Sequence, residues 1–217
     1  MLPLAVHISS GIIEPEWQAV GFVAMAAAVA LALWKLDERD IPRIGVLTAA
    51  FFVASSFHLP VLVISVHLLL NGLVGIILRR RASIAIAVGL AMQCLLFGHG
   101  GPDALGVNFC VLAIPAWLAG WLFCIVRRWL RPGFGLGLAL GVFCAGLTVL
   151  LHVSVLFFFG RGDWAALAAT SLVAHIPVIA VEGVGVGFAM KVLAKGKPEW
   201  LGVQPSEGKI SSNGTSH

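Results

Sequence analysis

Residues 133–159 read GFGLGLALGVFCAGLTVLLHVSVLFFF, without a single Asp, Glu, Lys or Arg. A run of this kind exceeds the ~20 residues needed to cross a hydrocarbon core. Inside a bilayer the main chain must bond to itself, which leaves only helices or closed barrels. The run is rich in Gly, Ala and Leu and lacks strand alternation, so it predicts a helix. The rest of the chain is similar. Of its 217 residues, 59% are hydrophobic and 11% are charged, where a soluble domain carries about 25% charged residues. The composition describes an all-α, polytopic membrane protein with no appended soluble domain.

Seven helices are predicted, at roughly 17–36, 43–57, 64–78, 82–98, 107–126, 133–159 and 164–193. The second and third are short. The sequence around His58 and Pro60 allows a re-entrant piece or a tilted short helix there. With the amino terminus outside, the inner loops hold Lys35, Arg39, Arg43, Arg79, Arg80, Arg81, Arg127, Arg128 and Arg131, and the inner carboxy-terminal region holds Lys191, Lys195, Lys197 and Lys209. Of the fourteen basic residues, only Arg161 is then outside. This bias sets the topology: amino terminus outside, carboxy terminus cytoplasmic, in a bacterial or archaeal cytoplasmic membrane. Residues 1–195 form a single transmembrane domain, and 196–217 a polar tail expected to be disordered.

Other functions are excluded on similar grounds. The MLPLAV stretch ahead of His7 is too short for a signal-peptide core. The net charge of +4 resides in inter-helix loops, where it orients the protein and implies no nucleic-acid partner. Cys94, Cys110, Cys124 and Cys144 lie in apolar runs without a CxxC pair and read as small hydrophobes. No P-loop, HExxH or GxSxG motif is present, so the chain is not an enzyme, and active transport would draw its energy from another subunit. Small residues four apart, at Gly133/Gly137/Gly141, Ala116/Gly120 and Gly183/Gly187, predict close helix packing.

The polar residues that remain cluster. In the predicted topology His7, within HISSGII (7–13), and His58, His67 and His99 lie at or near the outer face. Neutral imidazoles with little fixed positive charge suit an arriving transition-metal cation. Within SVHLLLNG (65–72), His67 and Asn71 are four apart and share one face of the predicted third helix. They read as a metal ligand with its supporting amide, or as an imidazole bonded in a helix seam. Within LLFGHGGPDALGVN (95–108), Gly98, Gly100 and Gly101 allow a folded loop at membrane depth. His99 and Asn108 bracket it as supports, unless the loop simply satisfies its own backbone. Deeper lie His152, His175 and Glu182. Ionisable groups there are functional suspects, with a polar clamp between helices as the plainer reading. The two histidines could also ligate haem as a pair, which would make the protein a membrane electron carrier.

HISSGII, SVHLLLNGLVG (65–75), LLFGHGGPDALGVN and HIPVIAVEG (175–183), in that order, resemble the CbiM/NikM family. These are the substrate-binding membrane components of energy-coupling-factor transporters for cobalt and nickel. The resemblance implies seven helices and an amino-terminal segment that dips into the bundle from outside. In the family a methionine–histidine start supplies the α-amine, the histidine amide and the imidazole, and the histidine of the second segment completes four nitrogens. Carried over, His7 and His67 are the metal ligands, in keeping with the preference of Ni²⁺ and Co²⁺ for imidazole. It further implies Co²⁺ or Ni²⁺ as substrate, no organic cofactor, and as partners a membrane coupling subunit, ATP-hydrolysing subunits and a small accessory membrane protein. A capture component for a different small ligand, and an interaction subunit without a ligand, are the rival readings.

Two departures matter. The family's histidine is the second residue, whereas here MLPLAV precedes it. Val6 as the true start would resolve this, because a GTG codon reads as valine internally and as methionine at initiation; proteolytic removal of the first residues would also expose an amine, and with Met1 retained His7 would bind only by its ring, or by ring and amide. Ser10 stands where the family usually has Asp, which changes how the amino-terminal segment is held or which metal is preferred.

Overall fold

The computed structural model describes residues 8–56, 58–61, 64–160 and 165–203, with the backbone alone described for 58–61, 64–67 and 165–170. Among the described residues seven α-helices follow one another: α1 (Pro15–Leu33), α2 (Ile41–Ser56), α3 (Asn71–Leu78), α4 (Ala82–Phe97), α5 (Leu105–Val126), α6 (Phe134–Phe159) and α7 (Ala165–Gly196). Helices α1, α5, α6 and the Ser171–Gly196 part of α7 are long and apolar enough to cross a membrane. Helices α2 and α4, with 16 residues each, reach about 24 Å. Pro15 opens α1, where its missing N–H leaves no bond unmade.

The third helix departs from the prediction for residues 64–78. His58–Val61 (β1) and Ile64–His67 (β2) pair as an antiparallel hairpin, with His58 opposite His67. Helix α3 begins only at Asn71 and has eight residues. His67 and Asn71 therefore do not share a helix face. Pro60 cannot donate to a helix and pushes Leu59 towards extended backbone, and Val61, Ile64 and Val66 favour strand. The final break is Leu70, which takes a left-handed conformation at φ 49°, a strained choice for a side chain of this shape.

Helix α3 is the centre of the bundle. Seven of its eight residues are buried, which accounts for an apolar sequence on every face. Phe51 of α2, Ile86 of α4 and Phe109, Leu112 and Phe123 of α5 belong to the same core. Glycines set the closest approaches. A Cβ on Gly137 would lie 2.8 Å from the Gly187 Cα, and one on Gly141 would lie 2.9 Å from the Gly183 Cα. Helices α6 and α7 thus meet backbone to backbone. Ala116 and Gly120 of α5 do the same against Gly75 of α3.

The two ends of the bundle differ in chemistry. At one, Arg80 donates to the Trp34 carbonyl, Arg81 donates to the Lys35 carbonyl and pairs with Asp40, and the Arg43 guanidinium lies 5.8 Å from the Trp200 ring centroid. Residues 197–203, placed by sequence in the polar tail, pack at this end too. Pro198–Leu201 forms a 3₁₀ turn, Leu201 is buried, and Arg127 donates to the Leu201 and Gly202 carbonyls. The remaining tail, 204–217, lies outside the described residues. At the other end, the chain after His7 meets the α4–α5 loop and the end of α6.

Candidate functional site

Val6 and His7 lie outside the described residues, but the segment that follows them is docked into the bundle. Ile8 and Ile13 are each 1% exposed and pack with Ala104 and Val107 of the α5 entrance and Leu156 of α6. The Ile8 N–H donates to Asn108 Oδ1 at 2.8 Å, and Asn108 Nδ2 donates to the Ile8 carbonyl at 3.0 Å. One buried amide side chain thus satisfies both main-chain groups of the residue after His7. A primary amide offers both a donor and an acceptor; a carboxylate or hydroxyl in its place would not reproduce this pairing with the same geometry. Asn108 also reaches the Gly100 carbonyl at 3.4 Å. It thus ties the segment after His7 to the loop that the sequence places beside it.

Asp103 fastens the next residues. It accepts from Ser10 Oγ at 2.5 Å and from the Gly11 N–H at 2.8 Å. Burial alone would raise the Asp103 carboxyl, but the bonds from Ser10 and Gly11, with those of Asp103 and Ala104 amides, hold it below its ordinary value. Gly101, at φ 60°, has Ser10 Oγ where a Cβ would stand, so the contact needs glycine there. The hydroxyl of Ser10 is a donor matched to this acceptor. An Asp at position 10 would set a like charge against Asp103. Gln18 of α1 closes the segment by donating to the Ile13 carbonyl at 2.8 Å, and Ile13 bridges to Gly160 at the end of α6. Sequence reading missed Asp103, Ser10 and Gln18 as a set, because 93 positions separate Ser10 from Asp103.

The chain after His67 is held as tightly. The His67 backbone ends β2, and its side chain lies outside what is described. The Leu69 and Leu70 N–H groups both donate to the Glu182 carboxylate of α7. Leu70 is the residue before α3, so Glu182 takes up donors that the left-handed turn would otherwise leave unmet. This assigns a structural contact to a buried acid whose role the sequence left open. Asn71 Nδ2 donates to the Leu112 carbonyl of α5 at 3.1 Å and to Thr148 Oγ1 of α6 at 2.9 Å.

These anchors share two helices. On α5, Asn108 holds Ile8 and Leu112 holds Asn71, four residues and about 6 Å apart. On α6, Leu156 packs with Ile8 and Thr148 accepts from Asn71, and His152 lies midway between them. Its ring centroid is 6.4 Å from that of His175. The rings are 3% and 0% exposed. His175 Nδ1 lies 2.6 Å from the Ser171 carbonyl, so it carries the proton, and the buried Nε2 makes no hydrogen bond. A porphyrin could enter only by separating α6 from α7, so the geometry does not favour the haem reading. His99 stands apart from this cluster: its N–H donates to the Gln93 carbonyl at the end of α4 and its ring lies 5.6 Å from that of Phe97. Among the described residues no group of three or more His, Cys, Asp or Glu side chains could hold a metal ion.

Known proteins resemble this chain over most of its length. A protein of Haemophilus influenzae named as a metal transport protein is 35% identical, over 89% of this chain and 95% of its own length. The cobalt transport protein CbiM of Geobacter sulfurreducens is 30% identical over 77% of this chain, which spans only 46% of that relative. The fused nickel transport protein NikMN of Rhodobacter capsulatus is 26% identical, over 90% of this chain and 61% of its own length. A crystal structure of a transition metal transporter has the same fold, with a TM-score of 0.75 at 24% identity, over 87% of this chain and 92% of that one. The sequence model of the cobalt uptake substrate-specific transmembrane region matches residues 7–200. The chain therefore belongs to that family, CbiM, whose members are membrane proteins of cobalt and nickel transport.

Proposed function

We propose that this chain is the substrate-capture component of an ATP-driven energy-coupling importer for divalent nickel or cobalt. In this reading the chain crosses the membrane seven times, the hairpin and α3 together making the third crossing. The amino terminus is outside and the carboxy terminus is cytoplasmic. One metal ion is held between the amino-terminal segment and the β2 turn, with the His7 and His67 imidazoles as ligands. The observation that carries the reading is the spacing on α5, where the residue after His7 and Asn71, which opens α3 just beyond the turn after His67, are fastened on consecutive turns of one helix. Two segments so placed can share one ion.

The chemistry follows from the donor set. Ni²⁺ and Co²⁺ bind neutral imidazole well, and a tetragonal nitrogen set favours the former. Desolvating the ion under a docked segment strengthens each bond to it. The amine that completes the set comes from Val6, if it is the initiating residue or if trimming exposes it. Asn108, Asp103 and Gln18 hold the segment closed through hydrogen bonds that contribute about 1 kcal/mol each. Closure of that strength is reversible, as capture and release require. His99 supports the adjoining loop, and His152 and His175 form the polar floor beneath.

Release inward needs work from elsewhere, in this reading from ATP-hydrolysing subunits acting through a membrane coupling subunit, with a small accessory membrane protein. The fused nickel relative supports association with further transport components. The gathering of Lys35, Arg43, Arg79–Arg81 and Arg127 at one end supports the orientation. X-ray absorption of the Ni²⁺-loaded protein tests the site. A nitrogen-only shell is expected, and a shell dominated by oxygen or sulfur would overturn it. Intact mass of the protein from its native host tests the start: an unprocessed Met1 would remove Val6 from the ligand set.

A further inference from the structure

At the arginine end, a groove of about 380 Å³ opens between α1 and α5. Its walls are Ala28, Leu31 and Ala32 of α1 and Trp117 and Trp121 of α5, and its rim carries Arg79 and Arg80. Leu31 and Trp121 are more than half exposed, so the groove faces the surroundings of the bundle, which for this family is lipid. The two helices that form it cross closely elsewhere, because a Cβ on Gly21 would lie 2.7 Å from the Val107 nitrogen. They part towards the arginines, leaving a slot with small alanines on one side and flat indoles on the other.

The charge at the rim is unbalanced. Arg81 next to it pairs with Asp40, whereas among the described residues neither Arg79 nor Arg80 has a carboxylate partner. Arg80 spends one nitrogen on the Trp34 carbonyl and keeps its other N–H groups. Both side chains are exposed. Two guanidiniums above an apolar slot match a ligand with an anionic head and a hydrocarbon tail, since guanidinium recognises phosphate in a two-pronged manner. The flat faces of Trp117 and Trp121 and the small side chains of Ala28 and Ala32 give the slot apolar walls, which suit an acyl chain.

We propose that this groove is a binding site for one anionic phospholipid, its phosphate on Arg79 and Arg80 and one acyl chain between α1 and the Trp117–Trp121 face. Basic pockets between membrane helices recognise such head groups. The site is separate from the metal-capture end, and its test does not depend on what the chain transports.

The test is lipid exchange into the detergent-solubilised protein, read by native mass spectrometry, with phosphatidylglycerol and phosphatidylcholine of identical chains. Each cation near a surface favours an anionic head by about fivefold, so the pair predicts about a 25-fold preference for phosphatidylglycerol. R79Q/R80Q brings the preference to near parity. R79K/R80K, which keeps the charges, retains most of it and shows that the exposed positions tolerate change. A brominated phosphatidylglycerol quenches the wild-type tryptophan emission, and W121F loses a large part of that quenching. Equal retention of the two lipids by the wild type, or an R79Q/R80Q variant with undiminished preference, overturns the proposal. So does a groove that holds no lipid and is covered only when another membrane subunit co-purifies.

Discussion

Replacing Asn108 by Ala should open the segment that follows His7. Asn108 makes two bonds to the Ile8 main chain, at 2.8 and 3.0 Å, in a buried position. Each contributes about 1 kcal/mol net, and an unmet buried main-chain group costs about 1–3 kcal/mol. Losing both weakens closure by about 2–4 kcal/mol, the lower figure applying if water enters the space left. If metal binding needs the closed segment, apparent affinity falls by about 30- to 1000-fold. N108D keeps an acceptor for the Ile8 N–H but sets a buried carboxylate oxygen against the Ile8 carbonyl, so its loss should be at least as large as that of N108A. Calorimetric titration with Ni²⁺ measures the affinity, and amide exchange at Ile8–Ile13 measures the closure. Wild-type affinity in N108A, together with undiminished protection of Ile8, would refute the reasoning.

Other expectations concern the remaining anchors. E182A leaves the Leu69 and Leu70 N–H groups without their acceptor and should lower stability by about 3 kcal/mol, with E182Q less affected; thermal unfolding in detergent reads both. The Asp103 carboxyl lies below its ordinary value in the folded protein, so its contribution to docking is full above about 4 and fades as pH falls through the lower folded value. Exchange at Gly11 should therefore rise on acidification below that point, and D103N should remove the dependence. G141L puts bulk against Gly183 and should destabilise the α6–α7 seam by about 1–3 kcal/mol. G146A, on the same helix with open space around it, should be neutral or slightly stabilising.

Much of the fold is legible in the chain because apolar length and small-residue spacing act locally. The α6 run, the glycine seams against α7 and the Ala116–Gly120 contact can be read from spacing alone. Residues 58–70 are not so readable. A stretch such as SVHLLLNG contains no glycine or proline before Asn71, and what ends its extended form is an acid on α7, 113 positions from Leu69. The same holds for the docked segment. HISSGII announces a turn, but the partners of Ser10 and Ile8 are Asp103 and Asn108, known only once α1, α5 and α6 are assembled. The fastenings of the candidate site are thus not legible in the sequence. Glu182 shows why: from sequence an intramembrane acid suggests transport chemistry, whereas its neighbours make it the cap of a short buried helix.

The most direct measurement is a Ni²⁺ titration, by calorimetry, of the full chain and of its H7A and H67A variants, each with the native amino terminus. Tight binding of one ion per chain, lost in both variants while the helical content stays unchanged, is the predicted result. Undiminished binding in either variant would mean that the two imidazoles do not share an ion.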